Sequence, residues 1–137
     1  MTRIINSDGP GKRRNRQMRT AAELLRRLAE SPGMSRETKD MAAEVVFALR
    51  GVARTAEESA EAWDKRGYWK KAADFQLQWE WAGAAASRLE ALLRKEAWEI
   101  LPSVLAELLP RFSGINVTKY TRPPDVWKGS YDRLLGR

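Results

Sequence analysis

The stretch FQLQWEWAGAAASRLEALLR, residues 75–94, carries the strongest architectural signal in the chain. Its apolar side chains recur at Phe75, Trp79, Ala82, Ala86, Leu89 and Leu93, in alternating steps of four and three. Steps of that size return to one side of an α-helix at every turn, whereas a strand would require alternation by two. The spacing predicts a helix over about 68–96, and the alanines on its stripe suit close, nearly antiparallel packing against neighbouring helices. Leu77, Trp81, Ala84 and Ala85 add a second apolar strip. That strip is to be covered either by another helix of the chain or by another subunit.

Upstream, Ser35 is placed to cap a helix over about 36–65. The stripe of this helix runs Met41, Val45, Ala48, Leu49, Val52, Ala56, Ala60 and Trp63, while Glu37, Asp40, Glu44, Glu57, Glu58 and Glu61 fall largely off it. Lys65-Arg66-Gly67 suits its end, with cations near the last carbonyls and a glycine to turn the chain. A helix over about 17–31 is predicted by Met18, Ala21, Ala22, Leu25, Leu28 and Ala29, and Ser31-Pro32-Gly33 ends it. A shorter one over 98–112 carries Ile100, Leu101, Val104, Leu105, Leu108 and Leu109, with Pro102 tolerated in its first turn. The fold class expected is therefore all-α: an antiparallel four-helix bundle over 17–112.

The two ends read differently. Residues 1–16 are expected to form a flexible basic arm, because Ser7-Asp8-Gly9-Pro10-Gly11 interrupts regular structure. Residues 1–20 hold six basic side chains and one acid. The extended C-terminal tail, 113–137, has a β-prone segment from Ile115 to Thr121, a bend at Pro123-Pro124, and a short helix capped by Asp125 and running through Leu135.

Composition narrows the function. The chain has 137 residues, about one domain. It is 43% hydrophobic and 31% charged, which is globular rather than disordered composition. The absence of cysteine and histidine removes disulfides, thiol nucleophiles, cysteine–histidine zinc sites and imidazole acid–base chemistry. No catalytic residue and no metal ligand is assigned, no cofactor is expected, and the chain is not expected to be an enzyme. Glu57, Glu58 and Glu61 with Arg54 read as an exposed helical face of paired charges, since carboxylate di-metal sites on helices ordinarily also use histidine. No apolar run approaches the roughly 20 residues that span a bilayer, and no hydrophobic signal core is present, so a cytoplasmic location and no membrane partner are expected.

A net charge of +7 and a pI near 10.0 point to an anionic partner, nucleic acid or an acidic protein surface. Lys12, Arg13, Arg14, Arg16 and Arg19 offer planar donor forks and point charges to phosphate oxygens, each contact releasing counterions. A second basic group, Lys65, Arg66, Lys70 and Lys71, surrounds Tyr68 and Trp69 at the turn between the second and third helices. Rings interleaved with cations there suit contact with phosphates and bases, or a solvated helix start with a ring folded onto the core. Among the six tryptophans, Trp79 lies on the core stripe, whereas Trp63, Trp69, Trp81 and Trp98 suit an interface or, alternatively, stacking on exposed bases. Tyr120 and Trp127 in the tail join them as interface candidates. The tail itself docks on the bundle, on another subunit or on a partner protein.

The helix order and small-residue packing of roughly Ser35 to Ile115 resemble a known family. The segments that carry the likeness are MAAEVVFALRGVARTAEE, the turn DKRGYWKKA, the helix WAGAAASRLEALL and the ending LAELLPRFSGI. The chain resembles the four-helix-bundle proteins that include the accessory variability determinant of diversity-generating retroelements and the related ribosomal intervening-sequence proteins. The short first helix, the strongly basic N-terminus and the long tail depart from that pattern. The resemblance implies a non-enzymatic partner of a reverse transcriptase that assembles as a homo-oligomer, a pentamer, and associates with the polymerase and its template RNA. A helical protein–protein adaptor, with an acidic partner on the basic surface or tail, is the other reading of the same residues.

Overall fold

A computed structural model describes residues 8–137; the part of the expected arm at 1–7 lies outside the described residues. Every regular element among the described residues is helical: α1 (Pro10–Glu30), α2 (Arg36–Lys65), α3 (Trp69–Arg94), α4 (Leu101–Leu108) and α5 (Ser130–Leu135), with 3₁₀ turns at Leu109–Phe112 and Pro124–Val126. The all-α class follows the periodicities. The β-prone segment Ile115–Thr121 forms no strand, having no strand to pair with. Several of its carbonyls are instead taken by arginines of α1: Arg19 donates to the carbonyls of Asn116 and Lys119, and Arg26 to that of Val117.

Three boundaries differ from the sequence reading. The tail helix spans only Ser130–Leu135, after Gly129, with Asp125 in a separate 3₁₀ turn rather than capping it. The first helix begins at Pro10, not near residue 17, so Lys12–Arg16 are helical rather than part of a flexible arm. Proline has no N–H to lose in the first helical turn and its fixed φ suits that position; Gly9 is the extended residue before it. The fourth helix is only two turns long and passes directly into the 3₁₀ turn. By contrast α2 has the bounds read from its cap and its glycine: the Ser35 hydroxyl accepts the backbone N–H of Thr38 at 3.2 Å, and Gly67 turns the chain at φ +84°.

The three long helices run antiparallel in sequence. Arg13 and Arg14 of α1 meet Glu58 and Ser59 of α2, Gln17 lies over Gly51, and Gly83 of α3 approaches Ala53. As the number rises along one helix it falls along its neighbour. α2 is the central element. Met41, Ala42, Ala43, Val45, Val46, Ala48, Leu49 and Val52 are all buried, covering nearly its whole circumference rather than one stripe. A helix buried over so much of its circumference must be enclosed by more than one neighbour. α1 and α3 cover two sides, and the tail covers the third.

The tail is held by acids of α1 and α2, two of which, Asp40 and Glu44, fall off the apolar stripe in the sequence. Asp40 accepts the backbone N–H groups of Gly129 and Tyr131 at 3.1 and 3.0 Å. Glu44 accepts the Ser130 hydroxyl at 2.7 Å, and Arg133 approaches it. Glu23 of α1, fully buried, takes the backbone N–H groups of Thr121 and Arg122, the Thr121 hydroxyl and the Arg19 guanidinium. Burial alone would raise the pKa of Glu23; these donors outweigh it and hold the carboxyl down at about 2. For Glu44 burial prevails over Ser130 and Arg133, and its pKa is raised. Trp127, expected at an interface, is instead core at 2% exposure. With Leu134 and the half-buried Tyr131 it seals the N-terminal half of α2.

Candidate nucleic-acid interface

Antiparallel packing brings the start of α1, the end of α2 and the start of α3 to one end of the molecule. The two basic groups, remote in sequence, therefore share that end: Lys12, Arg13, Arg14 and Arg16 from α1, and Lys65, Arg66, Lys70 and Lys71 from the α2–α3 turn. Arg19 lies one to two turns further along α1 and points elsewhere, to Glu23 and the tail carbonyls.

The cations at this end divide by what they touch. Lys12 and Arg16 pair with Asp8, Arg13 with Glu58, Lys65 with Glu61, and Lys70 with Asp74. Hydrogen bonding to Arg13, opposed by a smaller desolvation, lowers the pKa of Glu58, and Arg16 does the same for Asp8. These pairs are solvent-accessible, and such pairs contribute only about 0–1 kcal/mol. A phosphate can replace the carboxylate at little cost. Arg14 is different. Its guanidinium lies 4.8 Å from the centre of the Phe75 ring and 5.3 Å from that of Trp79, and burial lowers its pKa. It closes the N-terminal half of α3, where Phe75 and Trp79 are only half-buried rather than full members of the core stripe.

Besides Arg14, three cations at this end have no carboxylate ion pair among the described residues. Lys71 lies 4.1 Å from the Trp63 ring centre, and Arg66 lies 5.6 and 5.7 Å from the centres of Trp63 and Tyr68, which pack edge to face. Arg54, one turn before Glu58, is the third and is exposed. The sequence reading assigns Arg54 to the acidic face of α2. Its separation from Arg13 and Arg16 by some 40 residues hides their proximity across the α1–α2 seam. Trp69 stands 71% exposed beside Lys70 and Lys71, and Tyr68 is half-exposed. Exposed rings flanked by cations can stack on bases while the cations meet the backbone.

The remaining interface candidates lie away from this end. Trp81 packs edge to face on Phe112 under Arg111. Trp98 packs on Tyr131 with Lys39 above it. Tyr120 donates its hydroxyl to Glu30 and lies under Arg27. All three are half-buried within the chain's own packing. Of the second apolar strip on α3, Trp81 and Ala85 are packed inward, whereas Leu77 is 66% exposed. No group of three or more histidine, cysteine, aspartate or glutamate residues is placed to hold a metal ion among the described residues. No helix among them is long and apolar enough to cross a membrane.

The chain matches no protein-family model, no curated protein and no solved structure.

Proposed function

We propose that this protein is a non-enzymatic nucleic-acid-binding module that holds a single strand, RNA by preference, across the end formed by α1, α2 and α3. The observation that carries the reading is that antiparallel packing puts two basic segments, some 50 residues apart, at one end of the molecule, the second of them beside the exposed rings of Tyr68 and Trp69. Arg54, Arg66 and Lys71, without carboxylate ion pairs, supply the first phosphate contacts. Lys12, Arg16, Lys65 and Lys70 add theirs by exchanging weak ion pairs. The rings supply stacking without base readout.

In the fuller form of this reading the protein is a cytoplasmic accessory of a reverse transcriptase in a diversity-generating retroelement, scaffolding polymerase and template RNA. The short α4 then stands as the fourth member of an antiparallel four-helix bundle, and several copies assemble so that weak phosphate contacts add up. Light scattering on nuclease-treated protein tests the assembly: a mass near five times the 15.6 kDa chain supports the pentamer, and a monomer excludes it. The binding reading has its own test. Reversing Arg66 and Lys71 to glutamate should weaken binding of a dye-labelled oligouridine by at least about tenfold. The same reversal at Lys95 and Lys128, on the opposite end, should have little effect. Equal losses from the two pairs would remove the site.

A protein–protein adaptor is the second reading, and exposed Leu77 and Trp69 on α3 favour it. Its recognition surface would be α3 rather than the tail, whose large side chains pack on the protein itself.

A further inference from the structure

The seam between α1 and α2 holds a feature that the basic segments, read separately, do not suggest. Arg13, Arg16 and Gln17 of α1 face Gly51, Arg54 and Thr55 of α2 across a cleft of about 150 Å³. Gly51, with no side chain, lets the Gln17 carboxamide sit close against α2 at the floor. A Cβ there would lie 3.0 Å from the Gln17 side chain, closer than ordinary contact, so a larger residue would push the carboxamide outward by a few tenths of an ångström. Three guanidiniums and one carboxamide thus face one small opening. Glu58 occupies part of Arg13, and Asp8 occupies part of Arg16 and Lys12. With Arg54 added, four cations meet two carboxylates, and the surplus is positive.

We propose that this cleft is an oxyanion site that grips one backbone phosphate of the bound strand. Arg54 is its principal charge, Arg13 and Arg16 are supporting donors, and the Gln17 amide is the neutral donor at its floor. Guanidinium forks match the paired oxygens of a phosphate. The volume admits one phosphate group, and the charged lining favours it over a base. Phosphate recognition at a fixed point makes the interface more than a diffuse positive surface, because it sets where along the strand the protein sits. The inference rests on the nucleic-acid reading above for the source of the phosphate, but not for the cleft itself.

Two titrations separate these claims. The first follows the Gln17 side-chain amide and the arginine Nε–H signals of isotope-labelled protein by NMR as inorganic pyrophosphate is added. The second follows binding of dye-labelled oligouridine by anisotropy. Both are run on the wild type, Arg54→Ala and Gly51→Ala, with thermal unfolding to confirm that each variant is folded. The site predicts saturable pyrophosphate shifts at Gln17, Arg13, Arg16 and Arg54. It also predicts about tenfold weaker binding of both ligands in Arg54→Ala, and altered Gln17 shifts in Gly51→Ala. Shifts that never saturate, or that spread evenly over all surface cations, overturn the cleft while leaving the nucleic-acid reading in place. Loss of pyrophosphate binding in Arg54→Ala with unchanged oligouridine affinity overturns the assignment to the strand, leaving a site for a free phosphate compound. Saturable pyrophosphate binding by a protein that does not bind oligouridine at all overturns that assignment too, and removes the proposed function with it.

Discussion

Glu23 shows how a single side chain organises a large part of this protein. Its carboxylate is removed from water, yet Arg19, Thr121 and Arg122 surround it with charged, hydroxyl and backbone donors. Deleting it leaves two arginines without their shared counter-ion and two backbone N–H groups without an acceptor. Glu23→Ala should cost about 3 kcal/mol in denaturant unfolding. The pH dependence has a definite sign. A carboxyl whose pKa is about 2 in the fold and about 4.5 in the unfolded chain contributes stability above pH 4.5. That contribution fades as the pH falls towards 2. Glu44 runs the other way, since its pKa is raised and its ionisation weighs against the fold. The buried Glu23 is therefore assigned the main share of the loss in acid, ahead of the solvent-accessible Asp8 and Glu58, and Glu23→Gln should flatten the wild-type curve between about pH 4.5 and 2. An unchanged slope would move that role to other acids. None of this is legible in the sequence. Asp40 and Glu44 fall off the apolar stripe and Glu23 does not stand out, because what buries all three lies some 85 to 100 residues further along the chain, and helical periodicity reports only on the helix itself.

At the level of elements, helix ends explain both what the sequence reveals and what it hides. Ser35 and Gly67 mark the ends of α2 by local chemistry, a side-chain acceptor and a left-handed turn, and the structure places α2 between them. α3 ends in a similar turn, with Ala97 N–H bonded to the Leu92 carbonyl and Glu96 N–H to that of Leu93. There the left-handed position, at φ +55°, is held by Glu96 rather than by glycine. Glu96→Gly should therefore stabilise the protein by up to about 1 kcal/mol, seen as a higher denaturant midpoint. An equal or lower midpoint would show that the turn carries no strain. α1 misleads in the opposite direction: Gly9-Pro10-Gly11 looks like a break, yet proline serves as the first helical residue. The tail is legible as separate from the bundle but not as the cover for α2, because its packing depends on Trp127, Tyr131 and Leu134 meeting a face no local pattern reveals. Trp127→Ala should cost about 3–5 kcal/mol and expose the amides near Asp40 and Glu44 to hydrogen exchange. A tail that serves only to recognise partners would tolerate the change.

Across the whole molecule, the helices do for charge what they do for apolar surface: they bring together residues the sequence separates. The basic groups around residues 12–16 and 65–71 are legible as groups. Their meeting at one end, the withdrawal of Arg14 and Arg19 into internal contacts, and the addition of Arg54 are products of antiparallel packing. Whether this end binds a nucleic-acid backbone is decided by the salt dependence of oligouridine affinity. Each phosphate neutralised on a single strand contributes about −0.7 to the slope of log affinity against log salt concentration. Three cations without carboxylate ion pairs therefore predict a slope of about −2 or steeper for the wild type. In a triple variant with alanine at Arg54, Arg66 and Lys71 the slope should become shallower by about 2. A wild-type affinity indifferent to salt, or a triple variant with the wild-type slope, would rule out binding through these three cations.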